Sequence, residues 1–283
     1  MSLRTAALLA AASLILAGSA HAQPFSYADF SSVAGLGLNG TAAQNGSKLR
    51  LTQALQDEGG SAFRVSPISL GLNASFSTFF AFEILDRGGA DDGDSGADGI
   101  TFTVQTNAST VGGIGGGLGY EGVPNSLAVE FDTYNNVEPG GSNHVGINTG
   151  GSITSLQSTL LLAPEFDNGL PWYAWVDYNG AISSLEVRWS QSSVRPAASM
   201  LTRSLDLPAA LGSNSAFVGF TSATGDGWGE HNILAWSFQN SFNENGVQPP
   251  TSSVPEPGSY ALMAAGLAAL GAMAGRRRAP RQQ

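Results

Sequence analysis

Short runs in which apolar and polar residues alternate are repeated along most of the chain, and they restrict its fold more than any other feature. In the clearest run, SFSTFFAFEI at 75–84, every second residue from Phe76 to Ile84 falls on one face of an extended strand. Similar runs recur about every ten residues between clusters of Gly, Asn, Ser and Asp, which favour turns. We therefore predict an all-β fold, a two-sheet antiparallel β-sandwich over residues 23–242, with almost no helix there.

Charge and cysteine content limit the kinds of partner. Residues 23–275 contain seven basic and 22 acidic residues, so this part carries a formal charge of −15. Such a surface repels nucleic acid and anionic lipid, and it suits cations or neutral ligands such as sugars. A surface that is acidic only for solubility is the alternative. The 283-residue chain has no cysteine, so the predicted domain relies on its core and on any ions it binds.

The N-terminal residues have the three parts of a secretory signal. Arg4 supplies a positive charge, residues 6–17 form an apolar run, and Ala20-His21-Ala22 has the small-residue pattern of a cleavage site. We predict a signal peptide over residues 1–22, helical from Arg4 to about Ala17, and export through the inner membrane.

The C-terminal residues have a different order of parts. A linker rich in Pro, Asn and Ser is predicted over 243–253, followed by Val254-Pro255-Glu256-Pro257, an apolar run at 258–275 and Arg276-Arg277-Arg278. This order resembles the PEP-CTERM sorting signal of Gram-negative bacteria. The resemblance implies that segment 254–283 anchors transiently in the inner membrane as a helix and is processed by an exosortase-type enzyme. An ordinary single-helix membrane anchor is the alternative.

The stretch LAVEFDTYNNVEPGGSNHVGIN, at 127–148, contains most of the residues that suggest chemistry. Glu130 and Asp132 lie on the same face of a predicted strand, where burying unpaired charge is costly but holding a hard cation is favourable. Three further candidate ligands follow on a segment predicted to be a Gly/Asn-rich loop: Asn136, Glu138 and His144. The alternative is a half-exposed strand followed by a polar loop.

Two other loops have unusual compositions. The loop at 86–98, DRGGADDGDSGAD, has five aspartates and is either a solvated tip or a separate calcium site, although it lacks the closing Glu of an EF-hand. The glycine-rich run at 112–119, GGIGGGLG, is not followed by the Lys-Ser/Thr of a phosphate-binding loop. We predict that its backbone approaches a ligand or a strand closely.

The order EFDTYNN, EP and NHVGIN resembles the metal-binding segment of legume-type (L-type) lectins. Six further blocks resemble that family in its order between about 25 and 242: FSYADF, SFSTFFAFEI, GADGITFTV, IGGGLGY, WVDYNG with LEVRWSQ, and VGFTSATGDGWGEHNILAWSF. The resemblance implies a concanavalin-like jelly roll. It also implies a carbohydrate-binding protein of the cell surface or extracellular matrix, with a glycan or exopolysaccharide as its partner.

The resemblance further implies two ions beside the sugar. The ligands implied for calcium are Asp132, the Tyr134 carbonyl, Asn136 and Glu138. The ligands implied for a transition metal such as Mn²⁺ are Glu130, Asp132, Glu138 and His144. Oxygen ligands suit calcium, and the added imidazole suits the softer ion. The chain departs from the family at Glu138, where Asp is usual, and in the shorter loop before His144.

The residues that match the family's sugar site are Asp98, Gly116, Tyr134 and Asn136. The Asp98 carboxylate would accept hydrogen bonds from sugar hydroxyls, while the Asn136 side chain and the Gly116 amide donate. The aromatic ring of Tyr134 would stack on the apolar face of the sugar. Because Gly115 and Gly117 flank Gly116, the register of the glycine is open by one residue. The family has a cis bond at the position of Ala97–Asp98, and we expect one here.

Four of the five tryptophans are expected in the core: Trp172, Trp175, Trp189 and Trp236. The fifth, Trp228, is predicted in an exposed loop, TGDGWGEH, where it would contact the sugar, and residues 225–229 would select which sugar fits.

Two other functions are compatible with the fold. A structural surface or matrix protein would keep the sandwich with a degenerate sugar site. A concanavalin-like glycoside hydrolase of the retaining type needs two carboxyls about 5–5.5 Å apart. Enzymes of that fold commonly carry Glu, Asp and Glu at alternate positions, whereas Tyr134 follows Glu130 and Asp132 here. We therefore expect no enzymatic activity.

Overall fold

The computed structural model describes residues 24–250, apart from 72, 90–95, 108–109, 137–140 and 161–162. The predicted signal peptide, the two expected terminal helices and Glu138 therefore lie outside the described residues. Within the described ranges, the strands form two antiparallel sheets that pack as a sandwich, which confirms the predicted fold class.

The first sheet contains the longest strands. Its members are β1 (Phe25–Tyr27), β3 (Ala43–Asn45), β4 (Lys48–Thr52), β7 (Phe76–Gly89), β12 (Trp172–Asn179), β13 (Ser184–Ser190), β14 (Leu201–Ser204) and β16 (Gly227–Gln239). Their order is β14-β13-β12-β7-β16-β4-β3, and β1 also pairs with β16.

The second sheet carries three of the predicted metal ligands: Glu130, Asp132 and His144. Its members are β2 (Leu36–Gly40), β5 (Gly59–Arg64), β6 (Ile68–Ser69), β8 (Gly99–Gln105), β9 (Ser126–Asp132), β10 (His144–Thr149), β11 (Gln157–Leu160) and β15 (Ser215–Ala223). Their order is β11-β10-β9-β8-β15-β5-β2, and β6 pairs with β15.

Helical structure in the described ranges is confined to α1 (Leu207–Leu211) and a 3₁₀ turn at Gly115–Gly117. Asp206 caps α1, because its carboxylate accepts a hydrogen bond from the Ala209 amide at 3.1 Å. Neither element, nor any other part of the described chain, has the length and hydropathy of a membrane-spanning helix.

Aromatic side chains from both sheets meet in the core. Phe80 of the first sheet contacts Phe102, Phe131 and Phe220 of the second, at ring-centre distances of 5.9, 5.7 and 5.1 Å. Phe220 also packs edge to face against Trp236 at 4.7 Å. Each such pair adds about 0.5–1.5 kcal/mol beyond the burial of its area. The four tryptophans predicted in the core are all buried.

The outer face of the first sheet has a second apolar cluster, formed by Phe79, Ala81, Trp175 and Val247. Val247 belongs to the segment predicted as a linker. Its carbonyl accepts a hydrogen bond from Trp175 Nε1 at 3.1 Å, so this part of the segment is packed on the sheet. We call residues 243–250 the strap.

Several strands were not predicted. The Gly/Asn-rich loop expected at His144 is wrong, because residues 144–149 form β10 between β9 and β11. The short strands β2, β3, β6 and β11 were also missed; each has five residues or fewer, and most of their residues are partly exposed. Such strands bury too little apolar surface to produce a clear alternating pattern.

His231 allows a prediction about acid stability. Its side chain is fully buried on β16, with Nδ1 2.6 Å from Thr52 Oγ1. Burial lowers the pKa of His231 from 6.5 to about 3. Below pH 6.5 the unfolded chain binds a proton that the folded chain excludes. The free energy of unfolding should therefore fall as the pH is lowered from 6.5 to 3, by up to about 1.4 kcal/mol per pH unit from this residue.

Denaturant unfolding at about pH 7 and about pH 4 would measure this effect. The substitution His231→Leu should flatten the pH dependence, because the unfolded chain loses that proton site. Thr52→Val leaves the imidazole in place, so it should leave the pH dependence of the free energy of unfolding unchanged. Equal slopes in the wild-type protein and His231→Leu would contradict the prediction.

Candidate functional site

Three neighbouring strands, β8, β9 and β10, bring Asp98, Asp132 and His144 to one end of the second sheet. Asp132 of β9 pairs with Gly99 of β8 on one side and with His144 of β10 on the other. Asp98 directly precedes Gly99 and so lies beside the row formed by Gly99, Asp132 and His144. A side chain at Gly99 would not fit, because a Cβ there would lie 2.2 Å from the Phe131 carbonyl oxygen, at a φ of +129°.

Glu130 lies one position further along the same face. It pairs with Gly146 of β10, where a Cβ would lie 2.1 Å from Glu130 Oε1, so the glycine provides space for the carboxylate. That carboxylate accepts hydrogen bonds from Asn148 Nδ2 and Ser155 Oγ, and His144 Nε2 lies 3.2 Å from its Oε1. Glu130 is only 2% exposed, so these groups support a buried charge.

Asn148 and Ser155 were not among the predicted site residues. A signal for Asn148 was present in the sequence HVGIN: on a strand, His144, Gly146 and Asn148 share one face while Val145 and Ile147 share the other. Interpreting this segment as a loop hid the pattern. No sequence signal indicates Ser155, which comes from the turn before β11.

The groups around His144 are chemically suited to hold a transition-metal ion. His144 Nδ1 lies 2.9 Å from the Gly141 carbonyl, which can only accept, so Nδ1 carries a proton. A histidine that binds a metal commonly donates its other ring N–H in this way. His144 Nε2 and Glu130 Oε1 then face each other across a site that requires either a second proton or a cation. No group of three or more Asp, Glu or His side chains within the described residues is arranged to hold an ion.

The candidate calcium ligands are all oxygen donors. Asp132 is 2% exposed, and its Oδ1 accepts a hydrogen bond from the Tyr134 amide at 2.8 Å, which holds the turn that follows β9. Tyr134 is half-buried and Asn136 is exposed. A carboxylate, a backbone carbonyl and an amide oxygen from one turn suit a calcium ion. The fourth predicted ligand, Glu138, lies outside the described residues.

Asp98, Gly116 and Asn136 come together beside this turn. Asn136 Nδ2 donates to Asp98 Oδ1 at 3.4 Å, and a Cβ at Gly116 would lie 2.2 Å from Asn136 Nδ2. Among the three glycines, Gly116 is the one whose Cβ would meet Asn136, whereas a Cβ at Gly115 would face Gly225 and one at Gly117 would face Glu121. The Ala97–Asp98 bond is cis, as expected.

The glycine turn at 115–117 is held from both sides. The Gly115 amide donates to the Thr224 carbonyl at 3.0 Å, and Thr221 Oγ1 donates to the Leu118 carbonyl at 2.8 Å. Tyr120 is fully buried beneath the segment, and burial raises its pKa to about 12, so its hydroxyl stays protonated. These contacts explain the close backbone approach that the glycine-rich run predicts.

The position of Trp228 differs from the predicted one. It lies within β16 and pairs with Gly88 of β7, so its placement in a loop is wrong. The indole covers Gly88 and Gly89, where added Cβ atoms would lie 3.0 and 2.5 Å from it. It is nevertheless half-buried, while the other four tryptophans are buried. Its contact with sugar stays a prediction.

The loop at 86–98 is only partly described. Residues up to Gly89 belong to β7, and the description resumes at Gly96. The separate calcium site suggested there depends on Asp92 and Asp94, which lie outside the described residues.

Two family models match the chain: the legume lectin domain over residues 22–253, and the PEP-CTERM protein-sorting motif over residues 253–278. Lectin DB58 from Vigna unguiculata subsp. cylindrica is 31% identical over 259 residues, which cover 84% of this chain and 90% of that lectin. The L-type lectin-domain containing receptor kinase VIII.1 from Arabidopsis thaliana is 31% identical over 195 residues, 65% of this chain. The match spans only 27% of the kinase.

Solved structures give the same result. Lectin I-B4 from Griffonia simplicifolia, in its metal-free form, has a TM-score of 0.65 and 28% identity, and the match covers 76% of this chain and 98% of that one. A lectin from Bauhinia forficata in complex with GalNAc has a TM-score of 0.66 and 26% identity, over 77% of this chain and 98% of that one. Sequence and fold agree over the whole sandwich, and the chain therefore belongs to the legume lectin family, with a PEP-CTERM sorting motif after its lectin domain.

Proposed function

We propose that the chain is an exported, calcium-dependent carbohydrate-binding protein of the cell surface or extracellular matrix. The observation that most supports this is the convergence of Asp98, Gly116 and Asn136 beside Asp132. These residues come from three separate segments, and their meeting provides a carboxylate acceptor and amide donors in one place. A sugar hydroxyl needs both kinds of partner when it leaves water.

Each residue would have a defined role in binding. The Asp98 carboxylate, which is 3% exposed, would accept hydrogen bonds from two hydroxyls. The Asn136 side chain would donate through Nδ2, and the Gly116 backbone amide would donate to the same sugar. Tyr134 and Trp228 are half-buried aromatic residues that could stack on an apolar sugar face.

Calcium, when bound, would offset the charge of the buried carboxylates and fix the turn that carries Asn136. Its proposed ligands are Asp132, the Tyr134 carbonyl, Asn136 and Glu138. A second ion, Mn²⁺ or a similar metal, would lie between Glu130 and His144. The tautomer that the Gly141 carbonyl imposes on His144 supports this second ion.

The comparisons support the ligand class and the route of export. The Bauhinia forficata lectin is in complex with GalNAc, which supports a sugar as the ligand here. The sorting motif supports transient anchoring in the inner membrane of a Gram-negative bacterium and processing by an exosortase-type enzyme. A glycan array with and without EDTA would distinguish the alternatives. A lectin gives calcium-dependent retention, a hydrolase gives turnover, and a structural protein gives neither.

One prediction of this proposal concerns calcium. A ligand that binds only the folded state stabilises it by RT ln(1 + [L]/Kd), about 2.7 kcal/mol at a hundredfold excess over Kd. The melting temperature should rise with calcium and fall with EDTA, and Asp132→Asn should abolish the shift. Asp57→Asn removes an exposed carboxylate near the same end of the sandwich and should keep it. A normal calcium shift in Asp132→Asn would mean that the site is misplaced.

The second prediction concerns the sugar residues. Asp98→Asn should reduce glycan retention at least about tenfold, because a buried acceptor of sugar hydroxyls becomes partly a donor. Gly116→Ala should do the same, since its Cβ would lie 2.2 Å from Asn136 Nδ2. Gly71→Ala is the matched control, because its Cβ would make only an ordinary contact, at 3.8 Å, with Ser69. Full retention by both site variants would remove the support for sugar binding here.

A further inference from the structure

The candidate site and the point where the chain leaves the domain lie at opposite ends of the sandwich. β16 runs from Gly227, next to the site, to Gln239 over 13 residues. At about 3.3 Å per residue, these two ends are about 40 Å apart. We call them the site pole and the exit pole. Gly225 marks the site pole, because a Cβ there would lie 3.7 Å from Asp98 Oδ2.

The strap begins at the exit pole and is held there. The Asn243 amide donates to Ser77 Oγ at 3.0 Å, and Ser77 pairs with Gln239. Val247 is 5% exposed and packs on Phe79 and Trp175. Ser77 and Phe79 both lie within the first four residues of β7, so these contacts hold the strap near the exit pole.

An arginine joins the strap to a buried carboxylate on the outer face of the first sheet. Arg195 donates to Asp177 Oδ2 at 2.7 Å and to the Glu244 carbonyl at 3.3 Å, and Asp177 is fully buried. Gly246 lies against this arginine, since a Cβ there would be 2.3 Å from Arg195 Nε. Pro250, at the end of the strap, lines the same groove as Phe25 and Gln239. The described chain therefore ends at the exit pole.

The remaining tether is short. Seven residues, 251–257, separate Pro250 from the apolar run at 258–275. A fully extended chain spans at most about 3.6 Å per residue, so this tether reaches no further than about 28 Å. That is less than the distance of about 40 Å between the poles.

We propose that the strap sets the orientation of the domain on a lipid bilayer that holds the apolar run. The exit pole faces the lipid, and the site pole with Asp98 points away from it. This inference rests on the proposed anchoring of the C-terminal segment in a membrane and goes beyond it, because the orientation of the domain holds for any ligand of the site.

Releasing the strap would remove the constraint. If the strap and residues 240–242 before it detached, the tether from Gln239 to Gly258 would reach at most about 68 Å, which exceeds the distance between the poles. Val247→Asp should cause this release, because it places a charge between Phe79 and Trp175. The sandwich core between the sheets is not changed by this substitution.

The absence of cysteine allows a direct test with single fluorescent labels. Ile182→Cys, in the turn between β12 and β13 at the exit pole, replaces a residue that is 70% exposed. Leu55→Cys, at the site pole, replaces one that is 54% exposed, and the Leu55 carbonyl accepts a hydrogen bond from Thr224 Oγ1 at 2.7 Å. The chain from residue 23 to residue 283, with the apolar run retained, is reconstituted into phosphatidylcholine vesicles that contain acceptor-labelled headgroups, and energy transfer is measured.

The label at position 182 should show several-fold more energy transfer than the label at position 55. Adding Val247→Asp should reduce this difference, while circular dichroism shows an intact sandwich. Equal transfer at the two positions in the chain with an unaltered strap would overturn the proposal, and so would greater transfer at position 55. Failure of the full chain to associate with the vesicles would also overturn it.

Discussion

The antiparallel register of β8, β9 and β10 is the constraint on which the candidate site depends. It places Asp132 between Gly99 and His144, and Glu130 beside Gly146. A slip of one residue in β9 would turn both carboxylates into the core and expose Phe131. Phe131 contacts Phe80, Phe82 and Phe166, so the packing of the core opposes that slip. The apolar side of the strand thus secures the position of its polar side.

The charged side of β9 is stabilised by a different means. Glu130 and Asp132 are almost fully buried, yet Glu130 is surrounded by groups from β10 and the turn before β11. Glycine at position 146 is necessary for this arrangement, because any Cβ would occupy the space of the carboxylate. Residues that bind no ligand themselves therefore determine where the candidate ligands lie. Their substitution should be as damaging to the site as substitution of the ligands.

The sequence predicts the parts of this protein in which a strong local pattern and the final structure agree. The alternation from Phe76 to Ile84 predicts a strand of the core, and the resemblance to L-type lectins brings Asp98 together with Asn136 from a distant segment. The failures have physical causes. His144 begins a strand that is fixed by its neighbours rather than by its own glycine-rich sequence. Trp228 lies on a strand because β7 continues to Gly89 and pairs with it. The strap has the composition of a linker. It packs on the first sheet because Phe79 and Trp175 would otherwise be exposed on the outer face of that sheet.

The length of β16 has a consequence for mechanical load. If the apolar tail holds the exit pole and a fixed glycan holds the site pole, tension between them runs along the strands. β7 and β16 are paired over most of their length, so their hydrogen bonds would be pulled in shear and would share the force. Pulling across the sheet would instead break them one after another. Resistance to forced unfolding depends on the rate of unfolding rather than on equilibrium stability. The long pairing at the centre of the first sheet would therefore resist a tension applied between the two poles.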